Sequence, residues 1–74
     1  MSNTFAVRGT YIQLDQLLKA CGWAGSGGEA HAAIESGRVC VDGRVERRKR
    51  AKLKAGQRVT FAGETVALVE ASRA

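Results

Sequence analysis

These 74 residues predict a small α+β domain, a two-helix hairpin packed on a small antiparallel sheet. Three observations carry that expectation. Leu14, Leu17, Leu18 and Cys21 recur at helical spacing, Ser26-Gly27-Gly28-Glu29 reads as the start of a second helix, and Asp42-Gly43 separates two short alternating runs as a hairpin turn does. A chain of this length supports one hydrophobic core, hence one domain over 1–74, because small chains bury only about 60% of the surface that unfolding exposes.

The elements follow in order. Phe5 and Val7 alternate with polar neighbours as a short edge strand, and Arg8, Gly9 and Thr10 break the pattern. Helix one is expected from Gln13 to Cys21, with its apolar stripe on one face and Gly22 placed to end it in a left-handed conformation. Ser26 then caps helix two by accepting from the Glu29 amide, while the Glu29 carboxylate reaches back to Ser26. Ala30, Ala33 and Ile34 form the stripe of this helix, and Gly37 stops it. Val39 and Val41 lead into the Asp42-Gly43 turn and Val45 resumes beyond it. From Glu46 to Lys54 neither period holds, so the segment reads as a loop with Leu53 as its anchor. Val59 and Phe61 share one side of a strand from Arg58 to Phe61. Gly63 turns the chain into Thr65–Val69, where Val66 and Leu68 point inward, so the domain core is expected over about 5–69. The residues 70–74 have nothing to bury and read as a frayed tail.

Composition narrows the function. Hydrophobic residues make up 45% and charged residues 26%, a globular balance with only four aromatic side chains. Twelve Lys and Arg against seven Asp and Glu leave a net charge of +5, and the sequence pI is near 9.9. Such a field draws a polyanion first, with anionic membranes and acidic proteins as competitors. The start of the chain lacks a secretory pattern and no apolar run is long enough to span a bilayer, so a cytoplasmic setting without membrane is expected. There a disulfide between Cys21 and Cys40 is disfavoured: Cys21 belongs to the apolar stripe, and Cys40 sits beside strand valines.

The excess charge is concentrated. From Arg44 to Lys54 seven side chains are basic (Arg44, Arg47, Arg48, Lys49, Arg50, Lys52, Lys54) and one, Glu46, is acidic, a local net of +6. A solvated loop is the bland explanation. Against it stands the preponderance of arginine, whose guanidinium grips phosphate through two parallel hydrogen bonds and stacks on bases. The glycines at Gly25 to Gly28 either form a tight turn or lend helix-start amides to a phosphate. They lack the Lys-Ser/Thr of a nucleotide-hydrolysing loop. Trp23 either stacks on an unpaired base or closes the core between the helices, and the core is the simpler role. His31 either donates to a phosphate or is a bystander on an exposed helix face. One histidine and two distant cysteines match no zinc spacing, so neither metal nor cofactor is expected. A single histidine with few carboxylates on so small a scaffold also argues against an enzyme.

The run Leu14-Asp15, Gly22-Trp23, Ser26-Gly27-Gly28-Glu29-Ala30, Ile34, Gly37, Val39, Val41-Asp42-Gly43 and Val45 resembles an S4 RNA-binding domain. More narrowly it is similar to the small free-standing YbcJ-like branch, which the continuation Val45 to Leu53, Gly56-Gln57 and Phe61-Ala62-Gly63 also fits. The resemblance implies the αL fold and a basic face that meets folded RNA, often ribosomal. The wider family commonly has a basic residue soon after the helix-two serine, where Gly27 and Gly28 stand here. His31 stands where Lys or Arg is frequent, and Asp42 where Asn is usual. The weight therefore shifts to the basic loop.

The expected function is non-catalytic binding of structured RNA by a monomer, with ribosomal RNA or a ribosome-associated site foremost. Arg47, Arg48, Lys49 and Arg50 supply most of the affinity, Ser26, Gly27 and Gly28 position one phosphate, and His31, Arg38, Arg44 and Lys52 extend the surface into one continuous cationic face. The alternative is a basic adaptor that binds an acidic protein partner; DNA also attracts these charges.

Overall fold

In the computed structural model, which describes residues 2–71, the expected elements occur in order with two additions. They are β1 (Ser2–Val7), β2 (Ile12–Gln13), α1 (Leu14–Ala20), α2 (Gly27–Glu35), β3 (Val39–Val41), β4 (Arg44–Val45), β5 (Lys52–Leu53), β6 (Arg58–Phe61) and β7 (Glu64–Glu70). Five strands form one sheet in the order β1-β7-β6-β3-β4, while β2 and β5 form a separate two-stranded ladder. The α+β class is as the sequence predicts. The main sheet is mixed instead of wholly antiparallel, because β1 lies parallel to β7. Alternation reports which residues face the core, not strand direction, and the first and last strands of the chain are joined through everything between them, ample for a parallel pairing.

Both helices end where their sequences direct. Cys21 closes α1 and Gly22 follows at φ 76°; Ser36 closes α2 and Gly37 follows at φ 81°. The Asp42-Gly43 turn has φ of 52° and 82°, the two positive values that suit a tight hairpin with the strand twist. Leu14, Leu17 and Leu18 of α1 and Ala30 and Ile34 of α2 are fully buried against Val39, Val59, Val66 and Leu68 of the sheet. Burying each large aliphatic side chain contributes about 1.5–3 kcal/mol before entropy is charged against it. Trp23 joins this core from its edge, its ring centroid 5.7 Å from that of Phe61, so it bridges hairpin and sheet.

Three readings are corrected. Leu53 is the expected anchor, 2% exposed, but Lys52–Leu53 is a strand that pairs with Ile12–Gln13, a ladder too short to leave a periodic trace. The Glu29 carboxylate reaches the amide of Gly25, 3.1 Å away, not that of Ser26. The tail begins later than expected: Glu70 belongs to β7 opposite Val7, and the Ala71 amide donates to the Val7 carbonyl at 3.1 Å, while residues 72–74 lie outside the described residues. Among the described residues no helix is long and apolar enough to cross a membrane.

Candidate nucleic-acid interface

The segment between β4 and β5 has an irregular backbone, yet it is tied down at several points. The Glu46 amide donates to the Val39 carbonyl, continuing the hairpin ladder, and the Ala51 amide donates to the Arg48 carbonyl. Helix α1 begins at Leu14 with no side chain capping it, so its first amides need acceptors. The loop supplies them: Leu14 N donates to the Ala51 carbonyl at 2.9 Å and Asp15 N to the Lys49 carbonyl at 3.0 Å. Ala51, 7% exposed, and Leu53 are sunk into the core on the same stretch. With backbone and apolar side chains turned inward, Arg44, Arg47, Arg48, Arg50, Lys52 and Lys54 are left exposed and Lys49 half-buried.

Each cation has a distinct setting. Arg48 grips Glu46 with Nε 3.0 Å from Oε2 and a terminal nitrogen 3.1 Å from Oε1, while the Arg48 amide also donates to Oε2. The fork holds the Glu46 carboxyl below the usual carboxylate range, chiefly through that side-chain hydrogen bond. Lys49 Nζ lies 3.6 Å from Glu35 at the end of α2. The Arg47 guanidinium lies against Gly37, where a Cβ would come within 3.0 Å of it. Lys52 Nζ sits 5.0 Å from the centre of the Tyr11 ring. Arg48, Arg50 and Lys52 together line a surface recess of about 460 Å³ over Ala51. Arg44 stands on the edge strand β4.

The start of α2 is arranged differently. Ser26 Oγ accepts from Glu29 N at 3.2 Å, so its oxygen already serves as the cap, and the Glu29 carboxylate occupies the same end of the helix. The amides of Gly27 and Gly28 have no protein acceptor among the described residues. Arg47 and Lys49 meet α2 at its other end, about 12 Å along the axis from Gly27. The loop is thus brought to the start of α1 and the finish of α2, not against the start of α2. Arg38, just past α2, borders a different cleft with Trp23 and Phe61.

His31 is neither a solitary donor nor a bystander. Its Nε2 lies 2.9 Å from Asp15 Oδ2, joining the two helices beside the point where Lys49 bonds α1. Burial alone would raise the Asp15 carboxyl, but the His31 hydrogen bond, the Gln16 amide and the electrostatic attraction of His31 and Lys19 outweigh it, and the group ends below its ordinary value. Cys21 and Cys40 are free thiols, and burial, with Glu64 nearby, pushes the Cys21 thiol up. Tyr11 is too isolated in the sequence to argue for or against a role, and the β2–β5 pairing sets it beside Lys52. No local signal marks it, since two-residue strands fall below any periodic window.

Comparison with known proteins agrees with this architecture. A family model described as the S4 domain matches residues 5–69. Over 59 residues the chain is 52% identical to the Escherichia coli (strain K12) protein named "Putative RNA-binding protein YbcJ", covering 80% of this chain and 84% of that one. The same identity and coverage hold for "Uncharacterized protein YbcJ" of Shigella flexneri. Among solved structures, the solution structure of YbcJ from E. coli, described as revealing an αL motif involved in RNA binding, superposes with a TM-score of 0.65 at 46% identity, covering 92% of this chain and 85% of that one. With a family match over most of its length and a shared fold, this chain belongs to the S4 domain family.

Proposed function

We propose that this protein binds structured RNA without catalysis, through the cationic surface that runs from Arg44 to Lys52 and is centred on the recess of Arg48, Arg50 and Lys52. The observation that carries the reading is the inversion in this loop: its Lys49 and Ala51 carbonyls and its Ala51 side chain, with Leu53 just after it, are committed inward, so its cations are presented on a pinned backbone. A preorganised set of guanidinium groups loses less entropy on meeting phosphate than a mobile tail does. In A-form RNA the deep groove hides the base edges, so such a surface reads helix shape, phosphates and 2′-hydroxyls. RNA binding is also what the name of the Escherichia coli relative and the description of its solution structure carry.

Within that surface Arg47, Arg48, Lys49 and Arg50 supply most of the affinity, and Arg44 and Lys52 extend it. Ser26, Gly27 and Gly28 make a separate, weaker contact in which the two glycine amides meet one phosphate, opposed by the Glu29 carboxylate nearby. His31, held by Asp15, contributes through the position of the helices, and Arg38 reaches RNA from the far side of α2. The protein acts as a cytoplasmic monomer on ribosomal RNA or a ribosome-associated RNA.

Neutralising Arg47 or Arg50 singly should shallow the dependence of log affinity on log salt by about one unit, measured on an RNA hairpin by fluorescence anisotropy. Slopes unchanged across the whole loop would defeat the reading. Crosslinking in cells followed by sequencing should recover ribosomal RNA helices; recovery of partners that persists after nuclease treatment would instead identify a protein adaptor.

A further inference from the structure

One face of α2 is turned away from the basic loop. Glu29, Ala32, Ala33 and Ser36 follow one another at i, i+3, i+4 and i+7, opposite the face that carries His31 and Glu35. With Trp23, Phe61 and Arg38 this stripe walls a cleft of about 420 Å³. Its floor is open because the middle of the stripe is alanine, and its wall is the pair of half-buried rings 5.7 Å apart and tilted by 44°. The two ends are oppositely charged. Arg38 is exposed and, among the described residues, has no carboxylate in ion-pair range. Glu29 gives Oε1 to the Gly25 amide and keeps Oε2 without a partner among the described residues.

We infer that this cleft takes one unpaired guanine nucleotide of the bound RNA, its base against Trp23 and Phe61, its Watson–Crick edge toward Glu29 and its phosphate at Arg38. The inference rests on the RNA-binding reading above. Glu29 to Ser36 spans about 10 Å along the helix, the reach of a nucleotide from phosphate to base edge. Polarity decides the orientation within the cleft: Arg38 offers the phosphate a cation with no carboxylate in range among the described residues, and Glu29 offers an acceptor to the donors of a base. Chemistry decides the base: a carboxylate only accepts, and guanine offers adjacent imino and amino donors on one edge, whereas adenine and cytosine offer a single amino group and uracil a single imino proton. An acidic peptide would satisfy Arg38 but set a second carboxylate near Glu29. A strand leaving a helix bound at the loop has only the width of α2, about 10 Å, to pass before it enters the cleft.

Trp23 is the only tryptophan, so its emission reports occupancy directly. The probes are two RNA hairpins with the same stem, one blunt and one with a short single-stranded extension carrying one guanine. The extension should tighten binding roughly tenfold, the size of one stacked base, and quench Trp23, while the blunt stem binds with the same salt slope and no quench. Ala32→Leu, at an exposed helical position on the cleft floor, should erase the gain and the quench and leave blunt-stem affinity as it was. Glu29→Gln keeps a capping acceptor and should make adenine and guanine extensions equivalent. Equal binding of both hairpins with Trp23 unquenched, or a gain that persists in Ala32→Leu, overturns the cleft assignment while the loop reading stands. Absence of salt-dependent binding to the blunt stem brings down both, and quenching by an acidic peptide in place of RNA gives the cleft to a protein partner.

Discussion

In the helical hairpin the apolar side chains turn inward and most of the backbone bonds within the helices; in the loop from Glu46 to Ala51 several backbone groups turn inward and the arginine side chains are left to solvent. Leu17 and Leu18 are fully buried while their carbonyls accept from the amides of Cys21, Trp23 and Ala24 just beyond α1. Lys49 and Ala51, in contrast, spend their carbonyls on α1, and Arg47, Arg48 and Arg50 are exposed. The difference teaches that one core serves two purposes here. It is filled by the helices, and it holds a charged segment in a fixed shape without consuming its charges.

The sharpest way to break this comparison is to injure each region and ask which property responds. Leu17→Ala should cost about 2–5 kcal/mol in stability by urea unfolding, with any surviving folded protein binding RNA at its former salt slope. Neutralising Arg47, Arg50 and Lys52 together to glutamine should do the reverse: affinity should fall by about a hundredfold and the salt slope by two to three units, with stability changed by less than about 0.5 kcal/mol. A stability loss comparable to the core truncation would show that these cations hold the fold. Gly37→Ala couples the regions. At φ 81° a side chain is strained, and the new Cβ would press on the Arg47 guanidinium. A loss of about 1 kcal/mol is expected, with a small fall in RNA affinity as Arg47 is displaced; a variant as stable and as tight-binding as the parent would disconnect the two.

The smallest expected effect is on pH. Asp15 and Glu46 both have carboxyls depressed in the folded chain, so each favours folding more when ionised. The contribution is present above the unfolded carboxylate range, near pH 4, and disappears as pH falls through the lower folded values. Thermal stability should therefore decline below about pH 4, and Asp15→Asn should flatten that decline. An acid limb that is the same in Asp15→Asn would mean the tie between His31 and Asp15 adds nothing measurable.

The parts legible in the chain alone were those whose stabilising groups lie close together along it. The leucine stripe of α1, the Ser26 cap three residues before its donor and the Asp42-Gly43 turn all complete themselves within a few residues. The charge of the loop was legible for the same reason, as a count over eleven positions. Its placement was not. The bonds that fix it join Ala51 to Leu14 and Lys49 to Asp15, and the ladder that brings Tyr11 to Lys52 pairs residues some forty positions apart.

Sequence by itself therefore determined the two helices, the tight hairpin, the inward residues of the strands Arg58–Phe61 and Glu64–Glu70 and the concentration of cations in one segment, because helical and strand periods and turn preferences are local properties of the backbone. Only the tertiary structure decided that the cations stand at the start of α1 and the end of α2, that His31 is tied to Asp15, that β1 runs parallel to β7, and that Trp23, Phe61 and Arg38 share a cleft behind the loop. Those outcomes depend on which amides lack acceptors and which faces lack partners once the helices are laid on the sheet, and no stretch of the chain carries that information alone.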